Sequence, residues 1–401
     1  MNERFSRRMQ FLTASEVREI LKVTERPEIL SFAGGLPAPE LFPSEELAKH
    51  AQALLMEEGP KALQYAATEG YTPLRKWIAG RLNSHWGMHV DVPNVMITSG
   101  SQSGLDLVAK LFLDKDDLVW CEVPTYLAAL ASFRVFQPRF EEMPTNDDGV
   151  ILEGLEERIL KNKPKMVYVI PTFQNPSGRT WPMWLRKGFM ELMTRYDITV
   201  IEDNAYYEVC FDDIEYCSLS AFDPKGLVVS LASFSKVLCP GLRVAWISAA
   251  PEVIDKLVVL KQSTDLQTPT FNQMLVHRFL MANDFEERIK LIRDTYRARR
   301  DAMLAELAES LPEGCKYTHP GGGMFVWVEM PENVSAHKLL QRCLKSFVAV
   351  VPGSSFYPTY VKENTCRLNF SNLPPDTVRH GVRVFCNALR EEIAEVNALE
   401  Q

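Results

Sequence analysis

The chain has 401 residues, 46% of them hydrophobic and 24% charged, and a formal net charge of -8. That length allows two domains with substantial cores, and the acidic balance disfavours a protein that grips a nucleic-acid backbone through a basic face. Eight cysteines, at 121, 210, 217, 239, 315, 343, 366 and 386, form no Cys-x-x-Cys pair and no zinc-finger spacing with histidine. They read as reduced thiols, small buried hydrophobes of a reducing compartment, with no metal site. The start, "MNERFSRRMQ", is polar with no apolar run behind it, and no stretch approaches the ~18 apolar residues of a membrane helix. A cytoplasmic protein with no membrane partner is expected.

Residues 1–45 hold a predicted helix, "SEVREILKVT", and a Gly-rich turn, "FAGGLPAPELFP", read as an arm associated with a smaller domain or lying over a cleft. From 46 to 285, short apolar runs alternate with amphipathic segments. The predicted strands are "NVMITSG", "DLVWCEVP", "RFEEMP", "KMVYVIPTF", "ITVIEDNAY", "GLVVSLASFS" and "VAWISAA". Helical patterns such as "QSGLDLVAKLFL" and "WLRKGFMELMTRYD" lie between them. This alternation predicts an α/β fold, a large domain whose mostly parallel seven-stranded sheet is flanked by helices. From 286 to 401 the pattern changes to one long helix, "DFEERIKLIRDTYRARRDAMLAELAES", then "GGGMFVWVEM", "VAVVPGSSF" and "TCRLNFS", a smaller α+β domain.

In parallel sheets, functional groups gather beyond the carboxyl ends of the strands. Those ends here carry "SGSQSG", "PTY", "NPSG", "DNAY" and "SFSK". Together they suit a cofactor with an aldehyde, a phosphate and a pyridine ring. Lys236 is an amine for the aldehyde, made nucleophilic by burial and neighbouring cations. The helix start at Ser101 and Gln102 offers backbone donors to a phosphate, with Ser233, Ser235 and Arg243 converging on it. Asp203 offers a carboxylate to the ring nitrogen. Asn175 and Tyr206 suit the ring oxygen, and Tyr126 the ring face. "SFSK" also matches the Ser-x-x-Lys of acyl-transfer enzymes, but their Ser-Asp-Asn and Lys-Thr-Gly elements are missing.

The motifs "SFAGGLPAPELFP", "QYAATEGYTPLR", "TSGSQSGLDL", "PTFQNPSG", "EDNAY", "SFSKVLCPGLRVAW", "PGGGMFVW" and "CRLNFS" run in order from about residue 14 to 372. The chain thereby resembles the fold type I pyridoxal-phosphate aminotransferases, in particular the 2-aminoadipate and kynurenine aminotransferase branch. The resemblance implies that Lys236 carries the cofactor and shuttles the proton, that Asp203 pairs with the ring nitrogen, and that Tyr206 and Asn175 bind the ring oxygen. It implies Tyr126 stacked on the ring, and Ser101, Gln102, Ser233, Ser235 and Arg243 on the phosphate. Tyr65 resembles the tyrosine that reaches the neighbouring subunit's phosphate, which implies a homodimer with shared sites. Arg367 resembles the arginine that grips the substrate α-carboxylate, with Asn175 beside it. Ser15, Arg18 and Gly34 match positions near the substrate side chain. Asn204 departs from a second acidic residue often found there. The implied activity moves an amino group from an L-amino acid (aminoadipate, glutamate, aromatic or branched-chain) to a 2-oxo acid such as 2-oxoglutarate. Another reaction at Cα, by a decarboxylase, lyase or racemase, is the alternative, since the motifs near the ring do not choose among them. A DNA-binding role is not expected, because the motifs begin so near the first residue.

Overall fold

In the computed structural model, which describes residues 4–12, 19, 20, 22 and 26–399, the seven apolar runs form one sheet. Its strands are Val95–Thr98 (β1), Leu118–Glu122 (β2), Arg139–Met143 (β3), Met166–Val169 (β4), Thr199–Asp203 (β5), Val228–Ser233 (β6) and Ala245–Ser248 (β7). Their spatial order is β1-β7-β6-β5-β4-β2-β3. Neighbours are parallel except at β7, which runs antiparallel to β1 and β6.

A mostly parallel sheet needs both faces covered, so its strands are apolar at successive positions. The pleat sends Val119 and Cys121 to one face and Leu118 and Trp120 to the other. Helices Ser101–Phe112, Leu127–Arg134 and Pro251–Gln262 cover the first face, and Leu155–Lys161 and Met183–Arg195 the second. Helix Ser101–Phe112 buries Leu105, Val108 and Ala109, the spacing of a single stripe.

The long helix Phe285–Ser310 starts on Asp284, whose side chain accepts from the backbone N–H of Glu286 and Glu287. It packs against the helix Pro375–Leu399. Beside them lies an antiparallel sheet of Lys316–Tyr317 (β8), Phe325–Glu329 (β9), Val351–Pro352 (β10) and Thr365–Asn369 (β11), in the order β8-β9-β11-β10. The Gly-rich turn is fastened to this part of the chain. Leu30–Ser31 pairs in parallel with Val348–Ala349, Asn369 donates its backbone N–H to Phe32 O, and Ala38 N–H donates to the Tyr296 hydroxyl. Of the helix expected over 15–24, Glu19, Ile20 and Lys22 are helical; the rest lies outside the described residues.

One buried cation ties a rim loop to this scaffold. Arg186 is fully buried on the helix Met183–Arg195. Its Nε donates to Trp181 O (2.9 Å), Nη1 to Cys217 O (2.7 Å), and Nη2 to Pro171 O (2.6 Å) and Thr172 Oγ1 (3.0 Å). The loop between Pro171 and Trp181, which carries Asn175, is thus closed around a guanidinium. Buried carbonyls that lose their donors cost the desolvation of each group. Arg186→Met is expected to cost about 3 kcal/mol or more, read as a lower urea midpoint at unchanged slope.

Candidate active site

Beyond the carboxyl ends of β1, β2, β4, β5 and β6 lies a cavity of about 150 Å³. Every residue expected to bind the cofactor lines it except Tyr65, with Ile170 and Ala205 completing the wall. Parallel strands of one sheet end at one rim, so residues far apart in the chain arrive together.

One end of the cavity is built for an anion. The turn Thr98–Gly100 leaves β1, with Gly100 N–H bonded to Thr98 O at 2.8 Å, and Gly100 starts the next helix at φ +87°. A Cβ at Gly100 would run into the Arg243 guanidinium, so only glycine permits this approach. Ser233 Oγ donates to Ser235 Oγ (2.8 Å) and accepts from Ser235 N–H (3.0 Å), which turns both hydroxyls to one place. The Gln102 side chain is engaged away from this end. Its Nε2 donates to Ala128 O (3.1 Å) and Ser132 Oγ (2.6 Å), leaving its position at the helix start as the part available to a phosphate.

The other end holds the titrating groups. Asp203, buried at the end of β5, accepts from Tyr168 Oη (2.8 Å) and Ala205 N–H (3.3 Å). Burial pushes its carboxyl up to about 6, against the pull of Tyr168. Lys236 is half-buried, its Nζ 5.8 Å from the Tyr206 ring centroid and donating to Gly35 O at 2.8 Å. Burial, then the positive charges of Arg367 and Arg243, bring its ammonium down to about 8. Burial also drives the Tyr206 and Tyr126 hydroxyls upward, so both remain neutral donors.

Arg367, on β11, reaches the same place from the second sheet. It is buried, with Nη1 donating to Asn175 Oδ1 (2.8 Å) and Nη2 to Ala33 O (2.7 Å). Its guanidinium lies 4.2 Å from the Phe325 ring centroid and 5.0 Å from that of Phe356. Its Nε is buried with no hydrogen-bond partner among the described residues. Burial lowers it to about 10. A buried guanidinium with neutral partners and an orphaned N–H is a place for a carboxylate.

Of the remaining expected residues, Tyr65 lies outside the cavity and is 77% exposed, as a residue offered outward would be. Gly34 is buried beside Ala33. Ser15 and Arg18 lie outside the described residues. Asn204 donates to Ser230 Oγ (3.1 Å) inside the fold. Tyr168 and the carbonyls of Ala33 and Gly35 were not foreseen. Tyr168 had a signal, since a tyrosine inside a buried apolar strand needs a polar partner. The two carbonyls had none; the docking of the Gly-rich turn supplies them.

The donor set fits pyridoxal phosphate from end to end. A carboxylate stands for the ring nitrogen, an amine whose proton is held less tightly than usual for the aldehyde, and a helix start with serines and an arginine for the phosphate. A family model described as aminotransferase class I and II matches residues 31–385. The chain belongs to that family, and it is a pyridoxal-phosphate-dependent aminotransferase of fold type I. It is 44% identical to a 2-aminoadipate transaminase of Thermus thermophilus over 98% of both chains. It is 40% identical to aromatic-amino-acid aminotransferase 1 of Thermococcus litoralis, over 97% of this chain and 94% of that one. A solved α-aminoadipate aminotransferase of Thermus thermophilus, complexed with N-(5'-phosphopyridoxyl)-L-leucine, superposes with a TM-score of 0.91 at 43% identity over 98% of each chain.

The electrostatics set a pH dependence. Covalent capture of pyridoxal phosphate by the cofactor-free full chain needs the free amine of Lys236. The capture rate is expected to rise with pH through about 8, where the lysine loses its proton. Arg367→Gln removes one of the cations that lower this lysine, so the profile should move to higher pH. Stopped-flow absorbance at the cofactor band checks both.

Proposed function

We propose that this aminotransferase takes the amino group of an L-amino acid, with 2-aminoadipate, glutamate, aromatic and branched-chain donors all admitted, and passes it to a 2-oxo acid such as 2-oxoglutarate. One observation carries the reading. Arg367 is a buried cation with no acidic counter-charge among the described residues, bonded to Asn175 in the wall of the cavity that Lys236 lines. It binds the α-carboxylate common to every donor and says nothing about the side chain. The names of the relatives support breadth, because one acts on 2-aminoadipate, another on aromatic amino acids, and the solved neighbour carries a leucine adduct.

The residues divide the work. Bound pyridoxal phosphate supplies the electron sink that makes the bond to the substrate's Cα proton weak. Ser101, Gln102, Ser233, Ser235 and Arg243 hold the phosphate end, Asp203 keeps the ring nitrogen protonated, and Tyr126 supports the ring face. Asn175 and Tyr206 donate to the ring oxygen. Lys236 Nζ, its proton affinity lowered by its surroundings, would take the Cα proton and deliver it two bonds away, across the nitrogen, to the carbon that had been the cofactor's aldehyde. A carboxylate held by Arg367 stays a carboxylate, which favours proton removal over decarboxylation. Gly34, Ser15 and Arg18 belong to the side-chain end. We assign residues 1–45 to an arm, 46–285 to the cofactor-binding domain and 286–401 to the smaller domain, and place the enzyme in the cytoplasm as a homodimer whose Tyr65 serves the partner's phosphate.

L-2-Aminoadipate is expected to bleach the cofactor's visible band, and 2-oxoglutarate to restore it. Lys236→Ala should abolish the cycle. Arg367→Lys should lower kcat/KM about a hundred-fold, because a point charge replaces a fork on a desolvated carboxylate. Carbon dioxide release without an acceptor would instead assign the chain to decarboxylation. The shared site has its own test. Tyr65→Ala and Lys236→Ala variants, each weakly active or inactive alone, should regain activity when unfolded together and refolded as hybrids.

A further inference from the structure

The anion end of the cavity is braced by a charge that does not line it. Lys261, near the end of the helix Pro251–Gln262, is completely buried. Its Nζ bonds both carboxylate oxygens of Asp265, at 2.6 and 2.8 Å. A buried ammonium requires such a partner. The pairing leaves Asp265 in a single orientation, and in it Oδ2 also accepts from Ser99 Oγ at 2.9 Å. The same hydroxyl lies 3.2 Å from Thr268 Oγ1, a buried group.

Ser99 is the middle of the turn Thr98–Gly100 that launches the helix Ser101–Phe112 toward the cavity. Its carbonyl faces Arg243 Nη2 at 3.5 Å. Each end of this chain of contacts is therefore defined: a buried ammonium at one, and the helix start with Arg243 at the other. A second lysine, Lys110, touches Thr264 Oγ1 (3.2 Å) but pairs with Asp106 (2.6 Å) on its own helix, so it does not share the Asp265 carboxylate.

We propose that Lys261 is a positioning residue for the cofactor phosphate, acting through Asp265 and Ser99 on the turn that aims the helix start and Arg243. The inference rests on the assignment of this end of the cavity to the phosphate. Its consequence is selectivity. Loss of the brace loosens the grip on the phosphate while leaving the ring contacts of Asp203, Tyr126 and Asn175 as they are.

The test compares pyridoxal 5'-phosphate with pyridoxal, titrated into the cofactor-free full chain of the wild type, Lys261→Met and Ser99→Ala. Ser99→Ala removes only a hydroxyl and keeps the Lys261–Asp265 pair, so it serves where Lys261→Met folds poorly. Both variants are expected to weaken pyridoxal phosphate about ten-fold, the scale of one hydrogen bond involving a charged group, with pyridoxal affinity unchanged. Their double mutant should lose no more than either alone, as coupled residues do. A wild-type ratio of the two affinities in both variants would overturn the role of Lys261, and so would an equal weakening of both ligands. If the wild type itself showed no preference for the phosphorylated compound, the assignment of the cavity would fail first.

Discussion

The structure depends on cations kept in the fold with too few anions beside them. Lys236 and Arg243 line a cavity whose carboxylate is Asp203, and the buried Arg367 is bonded to Asn175 in its wall. Such an arrangement costs desolvation free energy that the protein's own groups do not recover. It is recovered when an anionic cofactor and an anionic substrate arrive. The imbalance adds to burial in tuning the chemistry: burial first, then Arg367 and Arg243, bring Lys236 down to about 8, while burial pushes Asp203 up to about 6.

Holding these groups in register is the task of the scaffold. The parallel strands end at one rim, and the rim loop that carries Asn175 is closed by internal polar contacts. Arg186 closes the loop that carries Asn175, and the buried carboxylate of Glu122 accepts from Ile170 N–H (2.7 Å) and Trp181 Nε1 (2.9 Å) at its two ends. Tyr168 orients Asp203 from behind. Groups that never touch the reacting atoms thereby decide where the reacting atoms meet.

The second sheet contributes what the first cannot. Arg367 lies on β11, and the Gly-rich turn that meets it is fastened by Leu30–Ser31 to Val348–Ala349. The carbonyls of Ala33 and Gly35 then receive Arg367 and Lys236, one from each sheet. The proposed substrate carboxylate site is a seam between two parts of the chain, so the placement of the turn bears directly on both cations.

The sequence by itself determined the strands, the helices and most of the side chains at the site. Apolar runs of β-branched residues, helical stripes and polar residues at strand ends are local patterns, and each has a local physical cause. Lys236, Asp203 and Asn175 could be read because chemistry as specific as this leaves few residue types to choose from, and Arg367 through the family resemblance of its motif "CRLNFS". Only the tertiary structure decided the groups whose partners are distant or lie on the backbone. Tyr168 needed β4 beside β5, Lys261 needed a helix end placed against the turn after β1, and the carbonyls of Ala33 and Gly35 have no side chain to announce them. Gln102 shows the same limit. Its place at the helix start was legible in the sequence, but not that its side-chain amide donates to Ala128 O and Ser132 Oγ of the neighbouring helix Leu127–Arg134. Packing settles such pairings by distance, and distance across the fold is what a linear pattern does not carry.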